Sequence, residues 1–266
     1  MGLRLEGKVC VVVGGGQTPG ETIGNGRATA LRFAQEGASV VVLDRRLASA
    51  EETVAMIASE GGDAQALELD VREEAACQQV VETIVGERGK IDVLHNNVGI
   101  GGGDAPPHLI DADAWDRILN TNVKAIMFMC KAAVPQMRKQ GSGVITNISS
   151  IAAIASAAYI TAYKTSKAAL NAYTEALASN NAKYGIRANV IMPGLMNTPM
   201  AIEGTVAAGQ DREKVIATRD AAVPLGRKMG SAWDIANAAL FLASDEAGFI
   251  TGIALPVDGG QSAQVG

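Results

Sequence analysis

Cysteine, aromatic residues and basic charge are all scarce in this sequence of 266 residues. The three cysteines, Cys10, Cys77 and Cys130, lie far apart, so they form neither a disulfide framework nor the paired spacing of a zinc site, and we expect buried or incidental thiols. The formal net charge is -5, and no basic block accompanies it to attract a phosphate backbone. These absences argue against a nucleic-acid partner.

Long uncharged apolar runs are also missing. No stretch is long enough to span a bilayer and no charged-then-apolar leader precedes the first predicted strand, so we expect no membrane partner and a cytoplasmic location. A hydrophobic fraction of 48% and 30 glycines suit a large core with tight loops. Because no linker is evident, the sequence predicts a single domain over residues 1–266.

Short apolar or β-branched runs alternate with longer amphipathic segments along most of the chain. The predicted strands are 9–13, 39–43, 64–69, 91–95, 144–148, 188–192 and 253–257, and the main predicted helices are 26–36, 48–60, 73–88, 114–138 and 159–184. This alternation predicts a doubly wound parallel sheet of about seven strands with helices on both faces, a three-layer α/β/α, Rossmann-like fold.

The stretch from 194 to 224 interrupts this alternation. It contains Thr198-Pro199, glycines at 204 and 209, and a short charged helical piece from Asp211. Long irregular connections of this kind often cover an active site. We therefore predict a substrate lid around residues 195–224.

A glycine-rich loop, residues 14–26, joins the first predicted strand to the first predicted helix. Glycine lets backbone amides approach phosphate oxygens, and a helix beginning near Gly26 directs the positive end of its dipole at them. Such a loop binds a dinucleotide pyrophosphate, with Gly15, Gly24, Asn25 and Gly26 as the expected contacts. A plain glycine-rich turn is the alternative, and the position between strand and helix argues against it.

The end of the second predicted strand carries Asp44. A carboxylate there can accept hydrogen bonds from both ribose hydroxyls of NAD and would repel the extra phosphate of NADP. Asp44 could instead cap the following helix, and Arg45 or Arg46 could bind a 2′-phosphate. The balance favours NAD over NADP.

Two further strand ends carry residues suited to the same cofactor. After the third predicted strand, Asp70 could bind the adenine amino group while Val71 packs on the ring. After the fourth, Asn97 and Gly99 occur in Asn96-Asn97-Val98-Gly99, where Gly99 permits close backbone approach to a ribose. Ordinary turn chemistry is the alternative for each pair.

Tyr163 and Lys167 lie one turn apart in a predicted helix, and Ser150 follows a predicted strand upstream. A phenol can exchange the proton that moves when an alcohol and a ketone interconvert, provided that its pKa falls from about 10. The Lys167 ammonium and an oxidised nicotinamide would both lower the pKa of Tyr163. Lys167 could also bind the ribose of the cofactor. Ser150 could hold the substrate oxygen by a hydrogen bond. Asn122 could hold a proton-relaying water through its side chain or a kinked backbone. Alternatively, Ser150 only caps a strand end and Asn122 is an irregularity of its helix.

Taken in order, these motifs resemble those of the short-chain dehydrogenase/reductase family over essentially the whole chain. The matching residues are the glycine loop, Asp44, Asp70-Val71, Asn97-Val98-Gly99, Asn122, Ser150, Tyr163, Lys167, Pro193-Gly194, Thr198 and Val257-Asp258-Gly259-Gly260. The resemblance implies a catalytic tetrad of Asn122, Ser150, Tyr163 and Lys167, and a contact between the nicotinamide carboxamide and Thr198 after Pro193-Gly194. It also implies a homotetramer formed through 114–138, 159–184 and the region near Val257.

Two departures from the family pattern stand out. The glycine loop is about five residues longer than usual, with 17–22 as the insertion and Asn25 where isoleucine is common. Val98 occupies the position of a usual alanine, which could tighten the floor of the cofactor site.

Other polar clusters have simpler explanations. Asp111, Asp113 and Asp116 could bind a divalent ion, but acids at the start of a predicted helix more often cap it, and no partner cluster exists, so we expect no metal. His95 and His108 fit no hydrolase pattern, and His95 at a strand end is expected to be structural.

The sequence thus predicts an NAD-dependent oxidoreductase that acts on a secondary alcohol or ketone through Tyr163. An apolar pocket is expected from Ile151, Ala152, Ala157, Leu195, Met196 and Met200. Within this set Ala157 and Leu195, together with Ser150 and Tyr163, are the predicted substrate contacts. A cyclic or aryl alcohol fits best, although Gln17, Glu21 or Glu203 could admit a sugar. The alternatives are a 3-oxoacyl-thioester reductase using NADPH and a non-catalytic dinucleotide-binding scaffold.

Overall fold

The computed structural model describes residues 3–155 and 160–264. Its strands are β1 (Val9–Val13), β2 (Ser39–Asp44), β3 (Asp63–Glu68), β4 (Val93–Asn96), β5 (Gly143–Ile148), β6 (Ile186–Pro193) and β7 (Ala254–Val257). They form one sheet in the order β3-β2-β1-β4-β5-β6-β7, and every neighbouring pair is parallel. The predicted doubly wound, three-layer fold is confirmed.

Helices cover both faces of this sheet. They are α1 (Asn25–Gln35), α2 (Leu47–Ser59), α3 (Glu74–Arg88), α4 (Ala112–Leu119), α5 (Ala125–Gln140), α6 (Thr161–Asn181), α7 (Pro199–Ala207), α8 (Arg212–Ala221) and α9 (Ala232–Ala243). Residues of α1, α2 and α9 pack on one face, and residues of α3, α5 and α6 pack on the other. Successive residues of β1 point into these two cores in turn, which explains why the strand is apolar throughout.

Several predicted boundaries move in the structure. The helix predicted over 114–138 is present as an unbroken helical backbone over 112–140, but a π-helical turn, Asn120–Lys124, divides it into α4 and α5. The prediction also omitted α7 and α9. The predicted helix over 159–184 corresponds to α6, and its first residue, Tyr159, lies outside the described residues.

The topology brings the carboxyl ends of the strands, which carry the predicted site residues, to one end of the sheet. The chain order reverses between β1 and its two neighbours, β2 and β4, and ligands of open α/β sheets bind in the crevice outside such a point. The glycine loop follows β1, Asp44 ends β2, and Asn97 follows β4. Ser150 follows β5 and so lies at the same carboxyl end of the sheet.

The predicted lid region contains α7 and α8. These two helices have a small apolar core of their own, formed by Ile202, Val215, Val223 and Met229. Elsewhere, the three cysteines are buried as expected. Across the described part of the chain, no helix combines the length and the apolar character needed to cross a membrane.

Candidate active site

Lys167 and Tyr163 lie side by side on α6, as their spacing predicts. The Lys167 Nζ is 5.6 Å from the centroid of the Tyr163 ring and donates a hydrogen bond of 2.8 Å to the carbonyl of Ile148, the last residue of β5. Lys167 is only 3% exposed, and this burial lowers the pKa of its ammonium to about 8. The lysine thus sits between the sheet and the phenol.

Tyr163 differs from expectation in one respect. The residue is partly buried, and desolvation raises the pKa of its phenol above the usual value, whereas a hydrogen bond with Ser150 lowers it. Contrary to the expectation, the pKa of Tyr163 is therefore not lowered in the protein without a cofactor. The Ser150 hydroxyl also accepts a hydrogen bond of 3.1 Å from the Ala152 amide, so Ser150 caps a short helical turn while it faces the phenol.

Asn122 lies in the π-helical turn and is fully buried. Its Oδ1 accepts a hydrogen bond of 2.7 Å from the Ile100 amide, and its Nδ2 donates to the Ile100 carbonyl and to the Ser166 hydroxyl, both at 2.9 Å. Both amide protons of the side chain are thus used to hold the loop after β4 on α6. Of the two routes for holding a water that the sequence left open, the kinked backbone fits this arrangement better than the side chain.

The loop after β4 passes directly above Lys167. A Cβ atom added to Gly99 would lie 2.9 Å from the Lys167 Nζ, so glycine at this position leaves room for the lysine head group where it now lies. Asn97 donates a hydrogen bond of 3.2 Å to the Gly14 carbonyl, which joins this loop to the glycine loop. The expected convergence of strand ends is present at these residues.

Sequence reasoning missed two residues that contact the predicted set. Ser166 donates a hydrogen bond of 2.7 Å to the Tyr163 carbonyl and accepts one from Asn122. Asp104, in the loop between β4 and α4, accepts a hydrogen bond of 2.7 Å from the Tyr163 amide. The Ser166 position beside Lys167 on the same helix was a usable signal, but nothing in the pattern around Asp104 indicates a partner so distant in sequence.

The glycine loop has the geometry of a phosphate cradle. A Cβ atom on Gly26 would lie 2.0 Å from the Gly14 carbonyl, and one on Gly15 would lie 2.7 Å from Val42, so both positions require glycine. Helix α1 begins at Asn25 after Gly24, with no side-chain cap and no acidic residue in its first turn. Its amides and dipole are therefore free to face an anion, and the residues fit the pyrophosphate of a dinucleotide.

The inserted part of the loop folds back on itself and against the lid region. The Gln17 Oε1 accepts a hydrogen bond of 2.9 Å from the Gly24 amide. On the outer side, Arg212 of α8 forms ion pairs with Glu203 of α7 and, at 3.4 Å, with Glu21 of the insertion. We refer to Glu21, Glu203 and Arg212 as the loop–lid cluster.

Asp44 lies against the glycine loop. Its carboxylate accepts hydrogen bonds from the Gly16 amide at 3.1 Å and from the Arg46 amide at 3.0 Å. The Arg46 guanidinium donates to the Gln17 carbonyl, while Arg45 is exposed. Asp44 does not cap α2, since the N-cap position of that helix is Arg46.

The remaining predicted contacts lie at the ends of β3 and β6. Asp70 pairs with Arg72, whose guanidinium lowers the pKa of that carboxyl to about 2, and Val71 is buried in the core. Pro193 ends β6, and a Cβ atom on the next residue, Gly194, would lie 2.4 Å from the Gln261 side chain.

Residues beyond β6 lead into the lid region. Thr198 is 6% exposed and precedes α7. Leu195 packs against the small core of the lid region. Ala157, the other predicted substrate contact, lies outside the described residues.

Asp111 and His95 have structural roles. Asp111 caps α4 by accepting a hydrogen bond of 3.0 Å from the Asp113 amide. Residues 3–155 and 160–264 contain no group of three or more potential metal ligands. His95 is buried in β4, where its Nδ1 is 2.7 Å from the Thr146 hydroxyl, and desolvation lowers its pKa to about 3.

Comparison with known proteins agrees with this geometry. A family model described as enoyl-(acyl carrier protein) reductase, of the adh_short_C2 type, matches residues 21–262. A 2,5-dichloro-2,5-cyclohexadiene-1,4-diol dehydrogenase from Sphingobium indicum is 39% identical, with 100% of both chains covered.

Solved structures match over nearly the whole chain as well. A short-chain dehydrogenase/reductase from Burkholderia xenovorans is 39% identical with a TM-score of 0.94, and the match covers 99% of each chain. A xylitol dehydrogenase bound to NAD+ is 35% identical with a TM-score of 0.87, covering 97% of this chain and 100% of that one. The chain therefore belongs to the short-chain dehydrogenase/reductase family of NAD(P)-dependent oxidoreductases that act on alcohols and ketones.

Proposed function

We propose that this protein interconverts secondary alcohols and ketones with NAD, and that Tyr163 is its acid/base residue. The observation that carries the proposal is the buried Lys167 ammonium, 5.6 Å from the centroid of the Tyr163 ring, together with the hydrogen bond between the Tyr163 phenol and Ser150. The Tyr163 phenol, which can transfer a proton, is thereby held at the carboxyl end of the sheet, where the glycine loop also lies. A protein that only binds a dinucleotide has no use for such a group.

In the oxidative direction, each residue has a separate task. When bound, NAD+ would supply the hydride acceptor and a positive charge that favours the phenolate. Ser150 donates a hydrogen bond to the substrate oxygen, and Tyr163, as phenolate, takes the proton of the alcohol hydroxyl while the carbinol carbon loses its hydride. In the reductive direction the same phenol returns the proton to the carbonyl oxygen.

Lys167 makes this proton transfer feasible at neutral pH. Without a cofactor, burial raises the pKa of Tyr163, so the phenol stays protonated at neutral pH and the phenolate that acts as the base is scarce. A lysine with a pKa of about 8 is still mostly charged at pH 7, and its ammonium favours the phenolate through the low-dielectric interior. The hydrogen bonds of Asn122 to Ile100 and Ser166 hold the loop after β4 against α6.

A Tyr163→Phe variant tests the acid/base role. It removes only the phenolic hydroxyl, so turnover of the best alcohol in a panel of cyclic secondary alcohols should fall by about 10²- to 10⁴-fold. Binding of NAD, followed by tryptophan fluorescence, should stay near the wild-type value. Unchanged turnover would refute the mechanism, and tight cofactor binding by a wild-type protein that turns over no substrate would favour a scaffold.

We propose NAD rather than NADP as the preferred cofactor. The Asp44 carboxylate lies against the glycine loop, where it would repel a 2′-phosphate, and the Arg46 guanidinium is engaged by the Gln17 carbonyl. Asp44→Ser should therefore raise the ratio of kcat/KM for NADP to that for NAD by more than about tenfold, since the repulsion would be lost and the exposed Arg45 would remain. A wild-type enzyme that prefers NADP would contradict this proposal.

The substrate is proposed to be a cyclic or aryl alcohol with little charge. The large side chains Ile154 and Met200, near the catalytic serine and at the start of the lid region, are 58% and 60% exposed, as an apolar binding surface requires. The dehydrogenase from Sphingobium indicum is named for a cyclohexadiene diol, which is a substrate of this class. The alternative is a 3-oxoacyl thioester reduced with NADPH, and acetoacetyl-CoA in the same assay separates the two.

We further propose that the protein acts as a cytoplasmic homotetramer. Phe249, between α9 and β7, is fully exposed, and Ile253, four residues further along the same connection, is 38% exposed. Such an apolar patch at the end of the sheet is suited to contact with a second copy of the chain.

A further inference from the structure

Asp104 caps the helix that carries Tyr163, although it lies far away in sequence. Its Oδ1 accepts hydrogen bonds from the amides of Ala105 at 2.8 Å and Ala162 at 3.0 Å, and its Oδ2 accepts one of 2.7 Å from the Tyr163 amide. The first amides of a helix have no partner within it, and the residue in the N-cap position of α6, Ile160, provides no side-chain hydrogen bond. The cap of α6 is therefore a carboxylate from the loop between β4 and α4.

The same loop also packs against the Tyr163 ring. A Cβ atom on Gly101 would lie 3.3 Å from the Cδ2 atom of the ring. Arg117 of α4 donates a hydrogen bond of 2.5 Å to the Gly102 carbonyl, and Thr161 donates one of 2.7 Å to the Ala105 carbonyl. One loop thus lies close to the ring and holds the backbone that carries it.

We propose that Asp104 is a positioning residue for Tyr163. By fixing the Tyr163 amide, it sets where the phenol lies relative to Lys167 and Ser150, while it contacts no reacting atom itself. Without this cap the first turn of α6 would fray, and Tyr163 lies in that first turn. The inference rests on the proposed acid/base role of Tyr163.

Asp104→Ala and Asp104→Asn, with Asp111→Ala as control, test the inference. Asp111 also caps a helix with its carboxylate, at the end of the same loop, but it contacts α4 instead of α6. Asp104→Ala should lower kcat for the best cyclic alcohol by about 10²-fold, because misplacing a reacting group by about 1 Å costs this much. The dissociation constant of NAD should change less than about twofold, and the apparent pKa in the kcat profile should shift.

The Asn variant and the control separate positioning from stability. Asp104→Asn keeps one acceptor oxygen for Ala105 and Ala162 and loses the bond to Tyr163, so its kcat should also fall while its melting temperature changes less. Asp111→Ala should lose stability with kcat unchanged. If folded Asp104→Asn and Asp111→Ala proteins share the wild-type kcat and pH profile, Asp104 is only a structural cap. An inactive Tyr163→Phe alongside that result would leave the proposed function intact.

Discussion

At the scale of single residues, Lys167 has an ammonium group that the fold destabilises. Its pKa is about 8, against 10.5 for a free lysine, because burial disfavours the charged form. Below pH 8 both the folded and the unfolded chains carry the proton, so the full cost of burying the charge is present. Between pH 8 and 10.5 the unfolded chain binds more protons than the folded chain, and the stability contributed by this residue rises with pH.

A Lys167→Met variant should reveal this cost. The change removes the buried charge, worth on the order of 3 kcal/mol at pH 7, and also the hydrogen bond to Ile148. The free energy of unfolding of the wild type, relative to the variant, should therefore rise between pH 8 and 10.5. Urea unfolding of both proteins across that range measures the difference. A constant difference would mean that Lys167 titrates normally in the folded chain.

Residue types and spacing were sufficient to predict the centre of the site but not its support. Ser150, Tyr163 and Lys167 follow from chemistry that needs a phenol, an ammonium and a hydroxyl after a strand. Asp104 could not be predicted, because its partner is an amide more than fifty residues away, and a contact of that length leaves no local pattern. The pKa of Tyr163 was also out of reach, since it depends on how deeply the hydroxyl is buried.

At the scale of elements, every strand was predicted to within two residues at each end. The bounds of β1 agree fully, since a strand between two cores is apolar throughout, whereas the half-exposed β3 is displaced by one residue. Helix α9 was missed although Ser231 and Asp234 form a capping box at its start, a signal that the sequence contains. The π-helical turn has no such signal, because 120–124 read like any other helical segment.

The loop–lid cluster joins the glycine loop, proposed to bind the cofactor, to the lid region, proposed to bind the substrate. Arg212 is shared by Glu21 of the glycine-loop insertion and Glu203 of α7, so the cofactor loop and the lid region support each other. Arg212→Gln should raise the KM of the alcohol and the dissociation constant of NAD together, each by about two- to fivefold, as expected for an exposed ion pair. Steady-state kinetics and fluorescence titration measure the two effects.

Lys214→Gln is the matched control for that change. It removes the same charge from the same helix, and within the described residues the Lys214 side chain forms no ion pair. It should leave both constants unchanged. If Arg212→Gln raises only one of them, the loop and the lid region bind their ligands independently.

At the scale of the whole molecule, the proposed assembly depends on exposed apolar surface. Burying one large apolar side chain contributes about 1.5–3 kcal/mol, and in a symmetric oligomer Phe249 would be buried once in every subunit. Phe249→Ser should therefore convert a tetramer into smaller species at micromolar concentration, as light scattering after gel filtration would measure. Met56→Ser, which removes an exposed apolar residue from α2 at the other end of the sheet, should not. A tetramer that survives Phe249→Ser would place the interface elsewhere.

The π-helical turn also fixes the rotational phase of the two helices that it joins. Each residue turns an α-helix by about 100°, so deleting one residue between Asn120 and Lys124 would rotate α5 against α4 by that angle. Met129 and Met137 would then leave the core, or Asn122 would leave Ile100 and Ser166. The one extra residue in the π-helical turn allows the chain to keep both sets of contacts. The length of this segment is therefore less open to change than the identity of its exposed side chains.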